Sequence, residues 1–284
     1  MDRDAVLRHE LGNFLRARRV DIVRADFGLP PLGRGRVCGL RREEVAYLSG
    51  VSVTWYTWLE QGRDINPSRQ VLDAVARTLR LSEAEHGYVL SLASQPPPRP
   101  AAAPIPQVAP AHIQRLLDAI SDYPAFAIAP DWGIAGWNAA YEALYPNVAK
   151  VPAADRNLLW LVFTDPYVHD LLPDWDVTSR RFLAEFRAEA GPRLGDPACS
   201  FLIERLLDAS EPFRAGWKSH GVEGFTSRER LFRHPIAGDL QLDQHRLSPS
   251  DHPDLHIIIY TPVPSTDASA RLKLMLGGLR TASA

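Results

Sequence analysis

The sequence predicts two domains of different class: an all-α helix-turn-helix domain followed by an α+β domain with one antiparallel sheet. Three observations support this: purely helical apolar spacing before residue 94, a proline-rich stretch at 94–110, and mixed helix and strand patterns after it. The stretch SQPPPRPAAAPIPQVAP contains seven prolines and is typical of a semi-rigid extended linker. We therefore predict domains at 1–93 and 111–284, joined by the linker 94–110.

The composition is that of a globular protein, with 45% hydrophobic and 23% charged residues. The two cysteines, Cys38 and Cys199, are far apart in the chain, which favours a reducing compartment over a disulfide framework. The N-terminus is charged, and no stretch approaches the roughly 18 apolar residues of a membrane span. We therefore predict a cytoplasmic protein.

The net charge of −2 conceals a basic segment near the N-terminus. Residues 16–42 contain eight arginines against two aspartates, and a local excess of positive charge is the electrostatic signature of phosphate binding. The same charge could also serve only to solvate a surface, which is the commoner role of an isolated charge run.

Five helices are predicted before residue 94. Leu7, Leu11, Phe14 and Leu15 recur with the spacing of one helical face. Two short amphipathic segments, 40–48 and 51–59, meet at Ser49-Gly50. We predict that the fourth helix opens at Asn66-Pro67, as an N-cap followed by proline, and that Ser82 with Glu85 forms a capping box for the fifth.

The segment Arg41–Gly62 (RREEVAYLSGVSVTWYTWLEQG) has the pattern of a helix-turn-helix. Ala46 is small where the second helix must approach closely, Gly50 suits a turn that needs a positive φ, and Ser52 can cap the helix that follows. The predicted recognition helix therefore runs from Ser52 to Gln61.

Within this helix the hydroxyls of Ser52, Thr54 and Thr57 are expected to face outward, where base edges are read, while Tyr56 packs into the core. Arginines around the motif are candidates for phosphate contacts, although each could be an ordinary solvated charge. The candidate DNA-contacting residues are Arg34, Arg36, Arg41, Arg42, Ser52, Val53, Thr54, Trp55, Thr57, Arg63 and Ser68.

After the linker, helix and strand patterns are mixed. Helices are predicted at 111–121, 139–145, 157–163, 178–190, 196–209 and 267–279. Strands are predicted as a pair within 126–137 and as single segments at 224–233, 239–247 and 255–261. Strands at both ends with helices between them favour one antiparallel sheet.

Several of these segments together resemble a known family. The stretch 50–85 (GVSVTWYTWLEQGRDINPSRQVLDAVARTLRLSEAE) is similar to XRE-type, lambda-repressor-like domains, and more specifically to the MmyB-like regulators of actinobacteria. The resemblance continues through GWN at 136–138, FTDP at 163–166, FRAGW at 213–217 and HPIAG at 234–238, and so covers nearly the whole chain. The chain departs from the family pattern in its basic arm, which reads GRGRVCG at 33–39 in place of adjacent arginines and a Thr-Pro-Gly.

The resemblance implies that the second domain is a PAS-like sensor, and that a fatty-acid-like molecule is one candidate ligand. The sequence contains no nucleophile elbow, P-loop or dinucleotide fingerprint, so we expect no enzymatic activity and no cofactor. His252 and His256 have helical spacing, but Pro253 lies between them, so we predict no metal site.

The second domain is rich in aromatic residues, which can fill a core or line a ligand cavity between sheet and helices. Asn138, His220 and His234 are candidate polar groups for such a cavity. The candidate ligand-binding residues are Trp137, Asn138, Tyr141, Trp160, Phe163, Phe182, Trp217, His220 and His234.

We therefore expect a homodimeric transcription regulator that binds a palindromic operator in double-stranded DNA and senses a small apolar ligand. In the alternative, the second domain only dimerises or binds a protein partner. A third class, an enzyme with an accessory helix-turn-helix, would need a reactive constellation that the sequence does not contain.

Overall fold

The computed structural model describes residues 3–29, 39–93 and 108–282, and these form two compact units. Unit 1 takes 3–29, 39–93, Arg187–Glu204 and Ala215–Gly224, whereas unit 2 takes the rest. Most of the predicted linker, 94–107, lies outside the described residues, as do Arg34, Arg36 and Cys38. Among the helices that the structure describes, none has both the length and the apolarity needed to cross a membrane.

Unit 1 contains the five predicted helices. Leu7, Leu11, Phe14 and Leu15 of the first helix are buried, as their spacing predicts. A short 3₁₀ helix, Arg24–Phe27, was not predicted. The helices are α1 (Arg3–Asp21), α2 (Arg42–Ser49), α3 (Val53–Glu60), α4 (Arg69–Thr78) and α5 (Glu83–Ala93).

The helix boundaries of unit 1 follow local capping chemistry. Ser82 and Glu85 form the predicted reciprocal capping box. The Ser82 N–H donates to Glu85 Oε2 at 2.8 Å, and the Glu85 N–H donates to Ser82 Oγ at 3.2 Å. The prediction for α4 was wrong, because its N-cap is Ser68, whose Oγ accepts from the Val71 N–H at 3.4 Å. Asn66 and Pro67 precede the helix, since a serine hydroxyl two residues later satisfies the first free amides.

Unit 2 contains one antiparallel sheet of five strands, which confirms the predicted fold class. The third predicted strand begins four residues later than expected, and the others agree closely with the prediction. The strands are β1 (Ala125–Ile128), β2 (Ile134–Trp137), β3 (Arg228–His234), β4 (Gly238–Leu247) and β5 (His256–Pro262). Their order across the sheet is β2-β1-β5-β4-β3.

Helices precede, separate and follow these strands, and two of them, Pro166–Leu171 and Glu211–Lys218, were not predicted. Short 3₁₀ turns also occur at Ala153–Asp155 and Gly191–Arg193. The helices are α6 (Ala111–Ala119), α7 (Ala139–Leu144), α8 (Leu158–Thr164), α9 (Pro166–Leu171), α10 (Trp175–Ala190), α11 (Pro197–Ala209), α12 (Glu211–Lys218) and α13 (Ala268–Ala282).

Helix α6 packs closely on the β1–β2 side of the sheet. Ile113 and Leu117 are buried there against small residues such as Ala125, Ala127 and Ala135. Gly136 allows the close approach, because a Cβ at this position would lie 2.6 Å from Gln114 Oε1 and 2.8 Å from Ala109 Cβ. Small side chains on β1 and β2 therefore allow α6 to pack close to the sheet.

Candidate functional site

Helices α2 and α3 form a helix-turn-helix with a clear inner and outer side. Gly50 ends α2 with φ +69°, and the Ser52 Oγ caps α3 by accepting from the Trp55 N–H at 3.1 Å. The helix predicted from Ser52 to Gln61 is confirmed as α3, with these two residues as its caps. Tyr56 and Leu59 are buried, so the opposite side of α3 faces outward.

The outward side of α3 brings together most of the residues predicted to read bases. Ser52, Val53 and Thr54 are exposed at its N-terminal end, and Trp55 and Thr57 are half-buried. A recognition helix uses this first turn to reach base edges in the major groove. Arg41, Arg63 and Ser68 are also exposed, Ser68 at the N-terminus of α4.

Two exposed aromatic residues of the helix-turn-helix were not predicted as site residues. Trp58 is 46% exposed and lies one turn beyond Thr54 on the same side of α3. Tyr47, in the last turn of α2, is 85% exposed. The spacing of Trp55 and Trp58 already indicated that both could not share the buried face, but nothing local distinguished Tyr47 from a core tyrosine.

Arg42, predicted to contact phosphate, is held by the protein itself. Its Nε donates to Glu60 Oε2 at 2.6 Å, and its side chain is 38% exposed. Arg19 of α1 donates to the same carboxylate, from Nε at 2.5 Å and from Nη2 at 3.0 Å. The carboxylate of Glu60, at the end of the recognition helix, therefore joins α3 to both α1 and α2.

The Glu60 carboxylate is completely buried. Burial alone raises the pKa of Glu60, but hydrogen bonds from Arg19 and Arg42 outweigh this and hold the pKa below its ordinary value. Helix α1 can approach because Gly12 has no side chain; a Cβ there would lie 2.4 Å from the Glu60 carbonyl oxygen. The C-terminal end of α3 is therefore held by the ion pairs of Glu60 and by the close approach of Gly12 to the Glu60 backbone.

Two predicted ligand-binding residues have structural roles instead. The Asn138 Oδ1 accepts from the N–H groups of Ala125 and Tyr141, and its Nδ2 donates to three backbone carbonyls. The His234 Nδ1 accepts from backbone amides, and its Nε2 faces the Ala143 carbonyl at 3.1 Å. Burial lowers the pKa of His234. Because their polar atoms are already used, neither side chain offers a free group to a ligand.

Trp217 and His220 belong to unit 1, not to the sheet region where the sequence placed them. The buried guanidinium of Arg187 ion-pairs with Glu10 of α1, lies 3.8 Å from the centroid of the Trp217 ring, and donates to the Trp217 carbonyl at 2.6 Å. His220 Nδ1 lies 3.5 Å from Glu10 Oε1. Burial raises the pKa of Glu10, but His220 and Arg187 outweigh it and hold the pKa below its ordinary value.

The other predicted ligand-binding residues lie in unit 2 as two kinds of aromatic group. Trp137 and Trp160 are half-buried. The guanidinium carbon of Arg156 lies 4.7 Å from the centroid of the Trp137 ring, and that of Arg205 lies 4.0 Å from the centroid of the Trp160 ring. Tyr141, Phe163 and Phe182 make ring contacts inside the unit. Most of these rings therefore take part in packing.

Arg230, which was not predicted as a site residue, lies beside one of these aromatic rings. Arg230 of β3 is 5% exposed and sits 4.8 Å from the centroid of the Phe182 ring. Its Nε donates to Gln244 Oε1 at 2.7 Å, but its buried Nη2 forms no hydrogen bond with the described residues, and Glu185 Oε1 is 3.8 Å away. Burial lowers the pKa of Arg230. Arg230 alternates with Phe232 and His234 along the strand, and this period-two spacing was the sequence signal that could have placed it on the buried face.

Unit 1 thus contains a helix-turn-helix whose second helix is capped and exposed on one side, and unit 2 contains a five-stranded sheet with helices, which is the organisation of a two-part helix-turn-helix protein. Residues 10–87 match the family model of a helix-turn-helix domain. Residues 109–275, more than half of the chain, match the MmyB-like transcription regulator ligand binding domain. The chain belongs to the MmyB-like family of DNA-binding transcription regulators. No curated protein matches it significantly.

Proposed function

We propose that this regulator reads a specific operator with the outward face of α3 and that a small amphipathic ligand in unit 2 changes its affinity for DNA. The observation that carries the DNA-reading part is the exposed first turn of α3, where Ser52, Val53 and Thr54 stand on a capped helix end. Hydroxyl and methyl groups of this size can contact base edges and the thymine methyl in the major groove.

One helix-turn-helix reads only half of an operator, so we propose a homodimer on a palindromic site, acting in the cytoplasm where the chromosome lies. Arg41, at the N-cap of α2, and Arg63, just after α3, are exposed and would contact phosphates. Arg42 is a weaker candidate, because its Nε is bound to Glu60.

The ligand-binding part of the proposal is supported by Arg230. A buried N–H without an acceptor is costly, and an anionic head group would supply the acceptor in a charge-assisted hydrogen bond. The surrounding rings of Phe182 and Tyr260 suit an apolar ligand body. The antiparallel sheet with its helices between β2 and β3 agrees with the PAS-like sensor that the sequence resemblance implies.

The DNA-reading proposal is tested by sequencing genomic fragments that the full-length protein retains, followed by fluorescence anisotropy on the recovered operator. We expect Thr54→Ala to reduce discrimination between operator and mutated operators by about 1–3 kcal/mol, as loss of a base contact does. Thr226→Ala, an exposed threonine in unit 2, is the matched control. Equal affinity of the wild type for operator and random DNA would refute the proposal.

The ligand proposal is tested with dodecanoate and dodecanol, used below their aggregation limits, as probes of head-group charge. We expect dodecanoate to change operator affinity more than dodecanol, and Arg230→Met to remove that difference. Arg233→Met, on the same strand but with a 62% exposed side chain, is the control. If neither probe acts and native mass spectrometry finds no bound molecule, unit 2 serves only for dimerisation or a protein partner.

A further inference from the structure

We propose that His112, Asp251 and His252 form a binding site for a divalent transition-metal ion in unit 2. His112 is the second residue of α6, while Asp251 and His252 lie in the loop between β4 and β5. One ligand atom from each residue can be chosen so that all three lie within 4.8 Å of one another. Two distant parts of the chain therefore bring two imidazoles and one carboxylate to the same point.

His112 already interacts with both of the other side chains. His112 Nε2 lies 2.9 Å from Asp251 Oδ2, and the rings of His112 and His252 stack with centroids 5.5 Å apart and an interplanar angle of 26°. The loop is held by backbone bonds, from the His252 N–H to the Pro249 carbonyl and from the Leu255 N–H to the His252 carbonyl. Asp251 and His252 are thus presented to α6 by an ordered turn.

The donor set matches a borderline metal ion. Imidazole nitrogens suit Zn²⁺, Ni²⁺ and Cu²⁺, and a carboxylate oxygen completes a set of three protein ligands with a position left for water. Metal–ligand bonds of about 2.0–2.2 Å in a tetrahedral site place neighbouring ligand atoms roughly 3.3 Å apart. Because His112 and Asp251 are exposed, their side chains can make the small rotations that bring the ligand atoms to this spacing.

The site also explains why the sequence showed no metal motif. His256, the partner suggested by spacing, has its Nδ1 at 2.8 Å from Ser248 Oγ. The partner of His252 is His112, which only the packing of α6 on the sheet brings close. A bound ion would link the start of α6 to the β4–β5 loop and so stabilise the attachment of α6.

The test is isothermal titration of the untagged full chain with ZnCl₂ and with NiCl₂, since an affinity tag would bind the same ions. We expect one equivalent to bind and the melting temperature to rise. His112→Ala and His252→Ala should each weaken binding by more than about tenfold, the least that loss of an outer-shell partner costs. His245→Ala, an exposed histidine on β4 outside the cluster, should bind as the wild type does.

Melting temperatures of the metal-free variants show whether each is folded, and Asp251→Asn provides a third substitution with little change in shape. The proposal is overturned if the wild type binds neither ion, or if the folded His112 and His252 variants bind as tightly as the wild type. Loss of binding in His245→Ala together with retention in His112→Ala would place the ion elsewhere and also overturn it.

Discussion

Replacing Glu60 by alanine should destabilise the helix-turn-helix far more than the same substitution at an exposed glutamate does. Glu60 has no exposed side-chain area, and Arg19, 7% exposed, donates two bonds to it. Without the carboxylate, Arg19 retains its bond to the Leu40 carbonyl, at 2.8 Å, but loses the negative charge that compensates its own. Removing one partner of a buried pair costs about 3–5 kcal/mol, because the remaining charge stays buried and uncompensated.

Hydrogen exchange of the α1 and α3 amides in the full-length protein measures this cost locally, without assuming that both units unfold together. A loss of about 3–5 kcal/mol corresponds to exchange faster by roughly two to four orders of magnitude. Glu43→Ala makes the same chemical change at an exposed position of α2 and should cost less than about 0.5 kcal/mol. If both variants exchange alike, Glu60 is not the anchor that we describe.

Three further predictions concern pH, the basic residues and assembly. Because the pKa values of Glu10 and Glu60 are held below the ordinary 4.5, the stability that they contribute is present above that pH and is lost on acidification below it. Hydrogen exchange measured from pH 5 down to pH 3 should show this loss, and Glu60→Gln should reduce the slope of stability against pH. Arg63→Ala should weaken binding to all DNA sequences more than Arg42→Ala does at matched stability, and the reverse order by anisotropy would contradict our assignment. Analytical ultracentrifugation should find a dimer at micromolar concentration, whereas a monomer with and without operator would exclude a two-fold reader.

Much of the fold could be predicted from the sequence because its signals are local. A capping serine, a glycine in a turn and a stretch of alternating strand residues act within a few positions of themselves. For this reason the recognition helix and the strands of the sheet were located to within a few residues. Where two local signals competed, as at Asn66-Pro67 and Ser68, the prediction selected the wrong one.

The roles of polar side chains could not be predicted in the same way, because they depend on partners far along the chain. Asn138 and His234 resemble ligand-binding groups in the sequence, yet backbone atoms brought near by folding use all of their bonding capacity. Arg230 resembles a surface residue, yet the pairing of β3 with β4 places it inside.

The sequence by itself therefore determined the fold class of each part of the chain, the helix-turn-helix and the family. Only the tertiary structure decided that Arg187–Glu204 and Ala215–Gly224 join the unit of the N-terminal helices, and that the ion pair of Glu10 with Arg187 lies there. The physical reason is that apolar periodicity repeats along the chain and can be read locally, whereas a buried charge is stable only beside a partner that folding brings to it.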